Sequence, residues 1–171
     1  MHHEPEPGDI IAYTVNGTSG WSSKFVAIVQ LILSLGRGVE NFSHLTLVSD
    51  KPGWEYGAQW PKVGHFPIDK SRAYEVWRVS GLTLSQRRDI LWYARSRVGD
   101  WYNMLGLLTA GLLQLHHSEV CSQEVGDAYA WASPPVVFKK EGMKILSPDA
   151  VLDDSRVHMI ARYVPGVGRV I

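Results

Sequence analysis

The spacing of apolar positions changes several times along the chain, and each change marks an element. Residues 10–13 form a short apolar run behind Gly8 and Asp9, which predicts a strand. Asn16-Gly17 is a turn signal. Phe25, Ile28, Val29, Ile32 and Leu35 then follow helical spacing, with Ser22 or Ser23 as the cap and Gly36 and Gly38 as the stop. Residues 42–48 alternate: His44, Thr46 and Val48 share one face of a strand, Leu45 and Leu47 the other. The turn of residues 49–53 sends 54–60 back antiparallel, and 63–68 and 74–79 read as further strands of the same sheet.

Thr83 with Gln86 three residues on is a capping box. The helix it opens carries the stripe Ile90, Leu91, Ala94, Val98 and closes at Gly99. Residues 102–115 are apolar and Gly-interrupted, and predict another helix. Ser118 is placed to cap a helix reaching about Trp131, with Cys121, Val125, Ala128 and Ala132 on one face. Ser147-Pro148 pairs a cap with proline at the first helical position, predicting a short helix to Asp153. Residues 157–164 are the last strand. The predicted class is α+β, an antiparallel sheet with helices packed on it.

Composition narrows the function classes. The 171 residues fit one domain, 1–171, with residues 1–7 expected to be flexible. Lys+Arg and Asp+Glu are 17 each, and neither half of the chain has the basic excess that non-specific nucleic-acid binding requires. The lone cysteine excludes an intramolecular disulfide and a zinc finger. The apolar stretches 26–35 and 104–115 fall short of the ~20 residues that span a bilayer, so no transmembrane segment is expected. The first residues lack a basic and then apolar run, so no signal peptide is read there and localisation stays open.

The candidate chemistry centres on Cys121. A lone cysteine is most often a small buried hydrophobe. This one falls in the first turn of a predicted helix, where unpaired N–H groups and the dipole favour an anion and lower a thiol's pKa. Its own N–H is also placed to contact a developing oxyanion. A thiol nucleophile needs a base. Among seven histidines, His44 sits on a rigid β-forming run; His2 and His3 lie at the terminus, and His116 and His117 directly precede the cysteine helix. A third group should orient the imidazole, and the next strand offers Glu55 or Gln59, since strand register is not fixed by sequence.

Taken together, Gly8-Asp9-Ile10-Ile11, Phe42-Ser43-His44-Leu45-Thr46-Leu47-Val48, Trp54-Glu55 and Val120-Cys121-Ser122 resemble the circularly permuted branch of the NlpC-type papain-like cysteine peptidases, in which the histidine precedes the cysteine. Asp100 to Gly106 and Ser147 to Ala150 resemble further segments of that family, so the likeness runs over residues 8–155. Two departures stand: Cys121-Ser122 is followed by Gln123 before Glu124, and the His44 to Glu55 spacing is about one residue tight.

The resemblance implies a permuted papain-like fold and a cysteine peptidase or amidase. It implies Cys121 as nucleophile, His44 as base, Glu55 as the orienting residue and Tyr13 or Tyr102 as substrate contacts. It calls for no cofactor and no metal, and points to a peptide, cell-wall or acyl-group substrate. Three other readings stay open: an acyltransferase with the same His and Cys roles, a zinc protein using His44, His116 or His117 with Cys121, and a non-catalytic binding module in which Cys121 is inert.

Overall fold

Alternation along residues 42–48 decides how the molecule is layered. The computed structural model describes residues 4–14, 42–59, 61–102, 118–119, 121–138, 146 and 148–170. The helix expected over 22–35, its flanking turn signals, the apolar segment 104–115, His116 and His117 lie outside the described residues.

One sheet organises the rest. Its strands are β1 (Ile10–Thr14), β2 (Phe42–Val48), β3 (Trp54–Gln59), β4 (Lys62–Pro67), β5 (Tyr74–Val79), β6 (Trp101–Tyr102), β7 (Ser118–Glu119), β8 (Val157–Val164) and β9 (Gly168–Arg169). They lie in the order β7-β6-β4-β3-β2-β1-β5-β8-β9. The pairs are antiparallel apart from β6 with β7. The helices are α1 (Leu84–Ser96), α2 (Cys121–Trp131) and α3 (Pro148–Leu152).

Local chemistry accounts for several boundaries. The capping box at α1 forms as expected: Gln86 N–H donates to Thr83 Oγ1 at 3.2 Å, and Thr83 N–H donates to Gln86 Oε1 at 2.9 Å. Ile90 and Ala94 are buried, but the helix ends before Val98, which is 46 % exposed and does not belong to the buried stripe. Gly99 adopts φ 102°, a conformation that residues with a Cβ rarely reach. Two expectations shift at the edge of the sheet. Tyr102 belongs to β6 rather than to a helix, and Ser118 and Glu119 form β7, so α2 starts at Cys121.

The sheet has two buried faces of different character. On one, Ile10, Ala12, Leu45, Leu47 and Tyr56 pack against Ile90 and Ala94 of α1, Val125, Ala128 and Tyr129 of α2, and Val151 and Leu152 of α3. On the other, Ile11, Tyr13 and Val48 pack with Tyr74, Val76, Ile160 and Ala161. The register explains the split: Ile10 pairs with Leu47 and Ala12 with Leu45, whereas Ile11 pairs with Thr46 and Tyr13 with His44. A register shift between Tyr13 and Thr14 returns Phe42 to the helix-facing cluster.

The amino-terminal residues are tied into this frame. Asp9 is fully buried and accepts from Arg78 Nε at 3.1 Å and from Arg87 Nη1 at 3.1 Å, joining the segment before β1 to β5 and α1. Tyr129 of α2 adds a 2.6 Å bond to the Gly8 carbonyl. No helix among the described residues is long and apolar enough to cross a membrane.

The circularly permuted papain-like fold expected from the sequence is not the one found. It required the β2 histidine to face the start of the cysteine helix. Instead Leu45 and Leu47 meet the helices, and alternation turns His44 to the opposite face with Tyr13.

Candidate functional site

The strands β1, β2 and β3 place a buried polar cluster on the face away from the helices. Val48 pairs with Glu55, so Glu55 shares its face with Thr46 and with Tyr13. Tyr13 donates its hydroxyl to Glu55 Oε2 at 2.7 Å, and the Thr46 hydroxyl donates to the same oxygen at 2.8 Å. Gln59 Nε2 donates to Glu55 Oε1 at 3.4 Å. Glu55 is fully buried.

A turn closes over this cluster. The Asp69 N–H donates to the Tyr13 hydroxyl at 3.1 Å, and the Arg72 guanidinium lies 4.5 Å from the Tyr13 ring centre. The His44 ring is stacked on Tyr13, with centroids 5.9 Å apart and planes at 26°. His44 is half-buried, but its Nε2 is shut off from solvent and has no hydrogen-bond partner among the described residues. Gly57 makes the arrangement possible. A Cβ there would stand 2.5 Å from Thr46 Cγ2 and 3.7 Å from His44 Nε2.

Burial sets the protonation states. Glu55 is pushed up to about 7, chiefly by burial; the bonds from Tyr13 and Thr46 and the Arg72 charge pull against it, and Asp69 adds to it. His44 is pushed down to about 3, first by burial and then by the Arg72 charge. Tyr13 is driven well above the usual phenol range by burial and by Glu55. Around neutral pH the cluster therefore holds a neutral imidazole, a neutral phenol and a carboxyl close to its midpoint.

Cys121 occupies a different environment. It is buried with Ala58 and Val63 beside the start of α2. Burial pushes its thiol up to about 11, against the pull of the Leu45 and Ser122 backbone groups, and Glu124 adds to the rise. The helix N-terminus is outweighed by loss of hydration. Among the described residues no hydrogen bond joins Cys121 to His44, and the thiol meets the backbone of Leu45, the residue after His44. The structure thus joins Glu55 and His44 through Tyr13, and Cys121 shares no hydrogen bond with any of the three among the described residues. Tyr102 is on β6, where its backbone pairs with Glu119. Neither residue offered for the third position hydrogen-bonds to His44 among the described residues; Gln59 bonds instead to Glu55.

Sequence reasoning missed Thr46, Gly57, Asp69 and Arg72. Thr46 had a signal, because it alternates onto the His44 face. The other three come from neighbouring strands and a turn, and only register brings them in.

No protein-family model matches the chain, and no curated protein does. Among solved structures, the metalloprotein yiiX from Escherichia coli O157:H7, described as DUF1105, matches with a TM-score of 0.67 at 18 % identity, over 95 % of this chain and 100 % of its own. The likeness shows a shared fold. It overturns the resemblance to NlpC-type papain-like cysteine peptidases, and with it the peptidase and amidase reading. The expected thiol mechanism, as hydrolase or acyltransferase, falls on the same comparison. Burial gives the physical reason: a thiol held protonated and an imidazole held neutral are not a thiolate–imidazolium pair.

Proposed function

We propose that this chain is a ligand-binding domain whose site is the polar face built by Tyr13, His44, Thr46, Glu55 and Gln59, with Cys121 an inert packing residue. The observation that carries this reading is His44 Nε2, enclosed and without a hydrogen-bond partner among the described residues. An enclosed polar atom left unpaired costs roughly 1–3 kcal/mol. A ligand that donates a hydrogen bond there recovers that energy. The imidazole remains unprotonated at neutral pH, so it offers a lone pair; with the proton on Nδ1, that lone pair is on Nε2. The ligand this favours is small, polar and equipped with an N–H or O–H donor.

The description of yiiX as a metalloprotein raises a metal ion as the alternative ligand. The described residues do not fit one: no three His, Cys, Asp or Glu side chains meet in an arrangement able to hold an ion. Glu55 is already committed to three donors, and Cys121 is buried among Ala58 and Val63.

Acetamide is a suitable probe, since it supplies a neutral N–H donor. Titrated into protein with isotope-labelled histidine rings, it should shift the His44 Nε2 signal saturably and leave His65 and His158 unmoved. A His44 signal that ignores acetamide while the other two move, or none moving at saturating probe, would reject this site. Metal content belongs in the same experiment: a stoichiometric ion on the purified chain, whose removal moves His44, would favour the metal reading.

A further inference from the structure

Among the described residues Glu55 is the one carboxyl built into the polar face, and its surroundings come from five segments. From β1 comes the Tyr13 hydroxyl, from β2 the Thr46 hydroxyl and the His44 ring, from β3 the Gln59 amide. The turn before β5 brings the charges of Asp69 and Arg72, and β5 brings Tyr74, whose phenol is itself raised in part by Glu55. Tyr13 touches both ends of the site, bonded to Glu55 at 2.7 Å and stacked on His44 at 5.9 Å.

Resting on the reading above, we infer that ligand binding at His44 is proton-linked through Glu55: ionised Glu55 favours a ligand that donates to His44, and protonated Glu55 disfavours it. The proton balance is simple. Ionised, Glu55 accepts on Oε2 from Tyr13 and Thr46 and on Oε1 from the Gln59 amide N–H. When Oε1 takes a proton from solvent, it becomes a donor facing another donor. The Gln59 amide must then turn to offer its oxygen. The net negative charge beside the Tyr13 and His44 rings is lost, and with it the field that strengthens Nε2 as an acceptor. Burial places this change near neutral pH rather than in the acid range.

The test has an arm with ligand and an arm without. In the free protein, the His44 ring nitrogens should show a step near pH 7, although His44 itself does not protonate there; the step should vanish in Glu55→Gln. With acetamide, the wild-type dissociation constant should fall several-fold from pH 6 to pH 8 and stay level in Glu55→Gln. Should Glu55→Gln fail to fold, Tyr13→Phe serves instead: Glu55 keeps titrating, followed by its own carboxyl carbon signal, while the step at His44 shrinks. Acetamide binding with no pH dependence would overturn the linkage and leave the binding site standing. A free-protein step that persists in Glu55→Gln would also overturn it. A step at His44 without any acetamide binding would leave the Glu55–His44 coupling standing but reject the ligand reading, and with it the proton-linked binding.

Discussion

The two faces of one sheet show how differently a buried surface can be made. The helix-facing side of β1 and β2 is Ile10, Ala12, Leu45 and Leu47, all fully buried among helix side chains. One residue along each strand, the opposite face carries Tyr13, Thr46 and the half-buried His44, with Glu55 beside them on β3; hydrogen bonds join Tyr13 and Thr46 to Glu55, and His44 stacks on Tyr13. The first face gains from area removed from water and tolerates small errors of position. The second depends on geometry, because each polar group must find its partner or remain uncompensated. His44 Nε2 is where that account is left open.

The comparison breaks most visibly at Leu47, where it predicts the largest effect. Leu47→Ala should lose about 3–4 kcal/mol of stability, since the fully buried side chain leaves a cavity under three helices. The Glu55 signals should keep their positions, because the polar face does not use Leu47. Chemical denaturation together with carboxyl carbon shifts checks both halves.

Glu55 gives the polar face its own signature, which is pH. Its folded pKa of about 7 stands above its ordinary 4.5, so the protonated form is the one the fold favours. The stability it contributes is fully present below pH 4.5 and lost as pH rises through 7, a change of roughly 3 kcal/mol at one unit per 1.4 kcal/mol. Glu55→Gln should flatten that slope between pH 5 and 8 in denaturant titrations. An unchanged slope would assign the dependence to another group. Smaller again is Gly57→Ala, which drives a methyl to 2.5 Å from Thr46 Cγ2. It should cost about 2 kcal/mol by overpacking and move the His44 ring signals; Leu47→Ala should not.

What the sequence revealed divides along the same line. A short apolar run located β1, alternation located β2, the turn signal and further strand-like runs located β3 to β5, and the Thr83–Gln86 capping box located α1, because these signals are local. Alternation also separated His44 and Thr46 from Leu45 and Leu47. What it lacked was the assignment of faces. A histidine one residue from a helix-facing leucine turns to the other face of its strand, so His44 stacks on Tyr13 and, among the described residues, shares no hydrogen bond with Cys121. Thiol acidity was misjudged for a related reason. Position in the first turn of α2 suggested a lowered pKa, but the burial that raises it comes from Ala58 and Val63 on other strands. Arg72 and Asp69, which shape the charge around Glu55, arrive through a turn that no short motif marks.

The most direct test of the account is the ring spectrum of isotope-labelled His44 at pH 6, in wild type and in Cys121→Ser. The structure predicts a neutral imidazole in both, with the same shifts, because His44 belongs with Tyr13 and Glu55. An imidazolium at pH 6 that reverts to neutral when the thiol is removed would contradict it, and would return Cys121 to the centre of the site.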